Sequence, residues 1–392
     1  MSGIAAEPLL VTILKVGIVF GMLLVGVLLT IWAERRVVAF MQQRKGPNRV
    51  GPFGILQGLA DGVKLFFKED FSPIEADRGI FMSAPLMAVI PAFLTAAVIP
   101  FGPPFSIGDT VVVPQLADLN VGILFFLAMG SLMVYGVTLA GWSSGSVYPL
   151  LGGIRSSAQM ISYEMALSLS VIAVVMQAGT LSTSGIVDAQ AGTYFGFLPH
   201  WHVFSQLPAF VIFCIAGLAE TQRAPFDLPE AESELVAGFH TEYTSIRFAM
   251  FMLAEYIHVL TMSAIAVTLF LGGWRGPVLP FAEPVWPIIW FSAKLGFMVF
   301  LFMWIRATMP RVRYDILMRY GWKTLLPAGL GWVAITAILL VVPNEVDRDL
   351  LAAIAGLVVA FIFLGRLMIM TWRRFGTLGP LAIAKQVRHG VR

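Results

Sequence analysis

LLVTILKVGIVFGMLLVGVLLTIWAERR, residues 9–36, is the stretch on which the fold turns. Its apolar part, 9–32, is long enough to cross a bilayer as one helix, which takes about 20 residues. It exceeds the apolar core of a secretory signal, about 15 residues at most. It also runs straight into Glu34, Arg35 and Arg36, so we read it as a retained membrane helix.

Eight further apolar runs follow, at roughly 80–101, 121–142, 156–178, 203–220, 248–271, 285–305, 325–342 and 350–372. Pro208 interrupts the run at 203–220, and 325–342 is short. The chain is 58% hydrophobic and 12% charged, with a mean hydropathy of +0.83. The expectation is an all-α polytopic helical membrane protein with about nine transmembrane helices, in a single membrane domain over 1–392. Placing the N-terminus outside puts 33–79, 143–155, 221–247, 306–324 and 373–392 inside. These segments hold 21 of the 26 basic residues, the asymmetry of the positive-inside rule. The net charge of +3 follows from that topology and gives no nucleic-acid footprint.

The single cysteine, Cys214, cannot supply a disulfide framework, zinc site or iron–sulfur cluster. Of the five histidines only His258 lies deep in a span, where a lone histidine is more often a packing residue. No metal site or redox centre is expected in this chain.

The inside connection ETQRAPFDLPEAESELVAGFHTEYTSIR, 220–247, departs from this apolar background. It concentrates 6 of the 23 acidic residues: Glu220, Asp227, Glu230, Glu232, Glu234 and Glu242. Topology does not need them, since acidic residues contribute little to orientation. Pro225 and Pro229 forbid a continuous helix, so irregular backbone is expected there, buried or lining a watery cavity. Glu230 and Glu234 at i,i+4 would repel and raise at least one pKa, as a proton relay requires. A solvated loop docking on a basic partner is the alternative.

Glu164 and Glu255 lie inside apolar spans, where ionisable residues are functional candidates. Lys294, near the middle of its span, is the expected cationic partner. In the longest inside loop, FGILQGLADGVKLFFK (53–68) repeats apolar residues at helical spacing, with Asp61, Lys64 and Lys68 on another face. Sixteen residues make only about 24 Å of helix, which fits an interfacial amphipathic helix or a cavity wall. Two basic clusters complete the inside face. One is Glu34–Arg36 with RKGPNR (44–49), and the other is RATMPRVRYDILMR (306–319).

WAERR (32–36), QRKGPNRVGPFGILQGLADGVKLFFKED (43–70), SYE (162–164), the 220–243 string and IRATMPRVRYDILM (305–318) together resemble the NuoH family, the H subunits of respiratory complex I, the proton-pumping NADH:quinone oxidoreductase. The likeness covers about 10–323. It implies the membrane half of a quinone chamber, with quinone entering from the bilayer as substrate. FMN and iron–sulfur clusters are then expected in partner subunits, with no cofactor bound by this chain alone. The implied partners are the other membrane-arm and hydrophilic-arm subunits, in a bacterial plasma membrane with the C-terminus cytoplasmic. By the resemblance Trp32, Glu34, Arg35, Arg36, Asp61, Lys64, Phe226, Asp227, Arg306 and Arg311 line or flank the chamber. Glu164, Glu220, Glu230, Glu232, Glu234, Glu242 and Glu255 form the acidic path that couples quinone chemistry to protonation, with Lys294 beside it.

Two features depart from that family pattern. Gly145 and Val147 stand where the family usually shows Asn and Lys, thinning the polar character of the 141–152 loop. The span at 350–372 adds a ninth helix to a pattern that usually ends after eight. Two other functions fit the same residues: the equivalent subunit of a membrane-bound hydrogenase or other complex I-like enzyme, and a free-standing proton-coupled transporter.

Overall fold

The computed structural model describes residues 8–107, 110–194, 198–227, 236–277, 285–341 and 351–359. Seven helices among them are long and apolar enough to cross a membrane, which makes the chain a multi-pass membrane protein. These are α1 (Leu9–Met41), α3 (Arg78–Thr95, extended by a 3-10 turn to Val98), α4 (Gly122–Ser143), α5 (Val147–Ala178), α9 (Ser245–Phe270), α10 (Trp286–Thr308) and the composite Tyr314–Leu339. The composite is α11 (Tyr314–Tyr320), a π turn at Gly321–Leu325, and α12 (Leu326–Leu339). Shorter helices are α2 (Gln57–Phe67), α6 (Thr183–Ala189), α7 (His202–Ser205) and α8 (Leu207–Glu220).

The apolar run at 203–220 therefore breaks in two. Gln206 leaves helical geometry, and Pro208 then starts α8, whose 14 residues make about 21 Å of helix. Of the run expected at 350–372, residues 351–359 are helical and the rest lies outside the described residues. Two antiparallel hairpins, β1–β2 (Phe105–Ile107 with Thr110–Val112) and β3–β4 (Thr193–Tyr194 with Leu198–Pro199), are the described sheet structure.

α9 is the central helix and packs against α1, α2, α3, α8 and α10. Its apolar residues face neighbours all round, as expected of a helix surrounded by others. α1 is its opposite: Leu9, Ile13, Ile18 and Val25 lie exposed, on more than one side of the helix. Water would penalise that exposure, whereas hydrocarbon does not. α3 and α4 approach closely because small residues line the seam. Ala84, Ala88 and Ala92 are buried, and a Cβ on Gly136 would stand 2.7 Å from the Ala88 nitrogen.

The segments read as inside converge at one end of the bundle. The Ser143 carbonyl accepts from Asp77 N–H at 3.0 Å, Ser245 Oγ donates to the Leu65 and Lys68 carbonyls, and Val312 N–H donates to the Pro225 carbonyl at 3.0 Å. At the other end Gln115 donates to Thr183 at 2.9 Å and Gln190 to the Thr268 carbonyl at 2.9 Å. Charged chemistry is thus concentrated at one face, above a core centred on Tyr163, Leu167, Phe213 and Phe270.

Candidate functional site

Arg223 organises the charged end. The segment 221–227 is irregular, as Pro225 requires, and is fixed by Gln159, whose side chain donates to the carbonyls of Ala219 (2.7 Å) and Phe226 (2.8 Å). Gln222 adopts a left-handed φ of 54°, which costs about 1–2 kcal/mol for a residue with a Cβ. The turn aims Arg223 into the bundle, where it is 5% exposed. Its Nη1 donates to Glu34 Oε2 on α1 at 2.7 Å, and its Nε donates to Glu255 Oε1 on α9 at 2.9 Å. The guanidinium also lies 4.0 Å from the ring centroid of Tyr256.

Arg306 on α10 donates to the second oxygen of Glu34. Glu255, Arg223, Glu34 and Arg306 therefore alternate in charge along one chain of contacts. Burial works against the charge of Arg223, but Glu255 and then Glu34 outweigh it, and its pKa lies above the ordinary arginine value. Asp227, buried a turn further on, meets Arg311 at 3.1 Å, and Phe226 packs against Tyr163 with ring centroids 5.8 Å apart.

A second cluster sits where α1 leaves the bundle. Arg36 donates to the Phe53 carbonyl at 2.9 Å, and Trp32 Nε1 donates to the same oxygen at 3.0 Å. The Arg36 guanidinium lies 5.5–5.7 Å from the rings of Trp32, Phe40 and Phe53. Arg35 pairs with Asp61 at 2.6 Å, and Gln57 donates to the other Asp61 oxygen. The helix expected over 53–68 is therefore shorter. It begins at Gln57 because Phe53 turns left-handed, φ 54°, inside a 3-10 turn, and that turn delivers the carbonyl that Arg36 and Trp32 share. Asp61 faces α1 while Lys64 is exposed.

Deeper in the bundle Glu164 on α5 accepts from Ser131 on α4. Glu220, at the end of α8, lies 3.3 Å from His258 Nε2 on α9. Glu220, Glu255 and His258 line one narrow cavity together with Thr221 and Gln222.

Lys294 is elsewhere, which corrects the expectation that it partners these acids. It is 7% exposed and donates to the carbonyls of Leu271 (2.5 Å), Gly273 (3.0 Å) and Arg275 (2.6 Å), with Trp201 as a cation–π neighbour at 4.2 Å. The physical reason is the turn that follows α9: the Leu271, Gly273 and Arg275 carbonyls converge just past the negative pole of that helix, and an ammonium with three N–H donors satisfies all three. Arg223 takes the place expected of Lys294. Glu242 is half-buried beside His240 and Tyr243, and Glu230, Glu232 and Glu234 lie outside the described residues.

His240 closes this end. It is packed beside Phe239 and Phe248, and burial pushes its pKa down to about 4. Tyr243 stacks on Phe81 at 4.1 Å and donates to the Phe81 carbonyl, and burial pushes it up to about 12, against the opposing effects of Ser143 and Arg247. Gly145 has φ 65°, and a Cβ there would stand 2.6 Å from the Glu75 carbonyl oxygen. The glycine is thus imposed by the close passage of the 75–77 segment as well as thinning the loop's polarity.

Sequence reasoning missed the role of Arg223, the clamp by Gln159 and the pairing of His258. Only Arg223 left a signal, as a lone cation between Glu220 and the remaining acids.

Comparison with known proteins follows the same lines. Residues 14–337 match the family described as NADH dehydrogenase. The H subunit of the NADH-quinone oxidoreductase of Frankia alni (strain DSM 45986 / CECT 9034 / ACN14a) is 54% identical over 351 residues, 88% of this chain and 76% of that protein. The protein of the same name from Frankia casuarinae (strain DSM 45818 / CECT 9043 / HFP020203 / CcI3) gives the same identity and coverage. With so much of the chain matched, and matched across both charged clusters, it belongs to the NADH dehydrogenase family.

Proposed function

We propose that this chain is the membrane subunit of a proton-translocating NADH:quinone oxidoreductase that corresponds to the H subunits of its relatives. It walls the quinone chamber and starts the acidic path that couples quinone reduction to proton pumping. It is not catalytic alone. Electrons come from partner subunits that hold FMN and iron–sulfur clusters, and quinone enters from the bilayer. The charged end then faces the bacterial cytoplasm, with the N-terminus outside and the C-terminus inside, as the basic segments favour.

The alternating chain Arg306–Glu34–Arg223–Glu255 carries this reading. It begins at the cluster read as chamber wall and ends at a carboxylate on a membrane-spanning helix. Quinone reduction consumes two protons. A change of charge near Glu34 alters its hold on Arg223, and that alters how Arg223 stabilises the Glu255 carboxylate. Low dielectric around a buried guanidinium makes such coupling strong. Trp32, Arg35, Arg36, Asp61, Phe226, Asp227 and Arg311 shape the entrance beside it. Glu164, Glu220, Glu230, Glu232, Glu234 and Glu242 extend the path.

The test is isolation of the native assembly from membranes, identification of its subunits, and measurement of quinone-site inhibitor sensitivity. The reading requires flavin- and cluster-bearing subunits to co-purify with an inhibitor-sensitive NADH:quinone activity. Hydrogenase subunits in their place would overturn the donor. Substrate flux through the purified chain alone in liposomes would overturn the role as part of a larger enzyme.

A further inference from the structure

His258 and Glu220 form a buried acid–imidazole pair. His258 is 1% exposed and lies one turn along α9 from Glu255. Its Nε2 stands 3.3 Å from Glu220 Oε1. Neither imidazole nitrogen nor Glu220 Oε2 has a hydrogen-bond partner among the described residues, so the 3.3 Å approach is an ion-pair distance and not a formed hydrogen bond. A histidine buried only for packing satisfies its polar nitrogens. Both side chains instead line the narrow cavity shared with Glu255 and Gln222. The carboxyl is confined from behind, since a Cβ on Gly130 would stand 3.1 Å from Glu220 Oε1.

The other charged and titratable groups on this side are few. Glu164 of α5 lies within electrostatic reach of both Glu220 and His258. Glu255 is engaged by Arg223, which Glu34 holds from the other side. The histidine thus stands between two carboxylates at the cavity, with no cation closer to Glu220 among the ion pairs of the described residues.

We propose that His258 is a proton relay, exchanging a proton with Glu220 through Nε2 and so linking Glu220 to Glu255 across the cavity that all three line. In the transfer one O–H bond breaks and one N–H bond forms. Glu220 becomes carboxylate, His258 becomes imidazolium, and no electrons move. The proposal rests on the acidic path set out above and adds to it a member that is not a carboxylate. Imidazole suits the task because its unperturbed pKa lies near neutrality and its two nitrogens open onto different neighbours.

The test uses the assembled oxidoreductase in inverted membrane vesicles, with His258→Asn and His258→Gln beside Glu220→Gln. Both histidine variants keep polarity and cannot titrate. They should lower quinone-linked proton uptake roughly a hundredfold, the lower end of the range for losing a positioned acid–base group, and flatten its pH profile. NADH:ferricyanide reduction should stay within about twofold of the unsubstituted enzyme, since the relay acts only after electrons reach quinone. Infrared redox-difference spectra with 15N-histidine should lose one isotope-sensitive imidazole band. Unchanged uptake, pH profile and imidazole bands in either variant overturn the relay. If Glu220→Gln is impaired and the histidine variants are not, the path stands and the relay falls. If Glu220→Gln pumps normally, the acidic path itself fails and takes the relay with it.

Discussion

Arg223 and Glu34 are 189 residues apart in sequence and 2.7 Å apart in the fold, joined by a charge-assisted hydrogen bond at a buried position. Glu255 holds the other edge of the same guanidinium. One arginine therefore joins α1, the 221–227 turn and α9, and the stability of this end depends on that joint and its supports.

Arg223→Met should destabilise the chain strongly. It leaves Glu255 without its cation and Glu34 with Arg306 alone, and breaking a buried pair costs about 3–5 kcal/mol. Thermal melting of the detergent-solubilised protein measures it. Arg223→Met with Glu255→Gln should recover part of the loss, because the second change removes the stranded charge. A double variant no better than the single would mean that the arginine holds the turn by packing alone.

Gly152→Ala should disturb the turn at Gly238–His240, in the second half of the acidic connection. A Cβ at 152 would stand 2.7 Å from the Gly238 carbonyl carbon and from the Phe239 nitrogen, both backbone atoms that cannot rotate away. Overpacking of this kind costs about 1–3 kcal/mol. Limited proteolysis within 236–244 should speed up, whereas Gly296→Ala, with nothing within 4 Å, should melt like the parent.

These joints mark where the sequence is readable and where it is not. The spans are legible because a bilayer imposes a length and a composition on every crossing helix, and the broken backbone at 221–227 is legible from Pro225. The 203–220 run reads as one helix, and the structure divides it, because hydropathy does not register the turn at Gln206. Lys294 reads as the partner of Glu255, and Arg223 holds that place, because spacing along a chain says nothing about which end of a neighbouring helix a long side chain reaches. Glu34 and Arg223 carry no mutual signal, since 189 residues separate them.

Acid should loosen the end closed by His240. Its pKa is pushed down to about 4 by burial, below the unfolded value near 6.5. The stability from keeping it neutral is fully present above about pH 6.5 and falls as pH drops from there toward about 4, because the unfolded chain takes up the proton first. The loss across that window is on the order of 3 kcal/mol for a site only 8% exposed. Melting temperatures at pH 7.5 and pH 5 measure it, and His240→Gln should shrink the difference.

Arg36→Ala should impair quinone reduction by the assembled enzyme while sparing NADH:ferricyanide reduction. The substitution removes the donor to the Phe53 carbonyl and the cation held among Trp32, Phe40 and Phe53. A rise in the quinone KM of roughly tenfold is the scale for losing a charged hydrogen-bonding group in a binding site. Equal loss of both activities would place the defect in assembly.

The central claim, that charge at the chamber wall reaches the membrane helices through Arg223, is tested most directly by Glu255→Gln in inverted vesicles of the assembled enzyme. Proton uptake and quinone reduction are followed together, with ferricyanide reduction as the control. The account predicts that uptake and quinone reduction fall together while ferricyanide reduction persists. Uptake and quinone reduction both at the rates of the unsubstituted enzyme would contradict it.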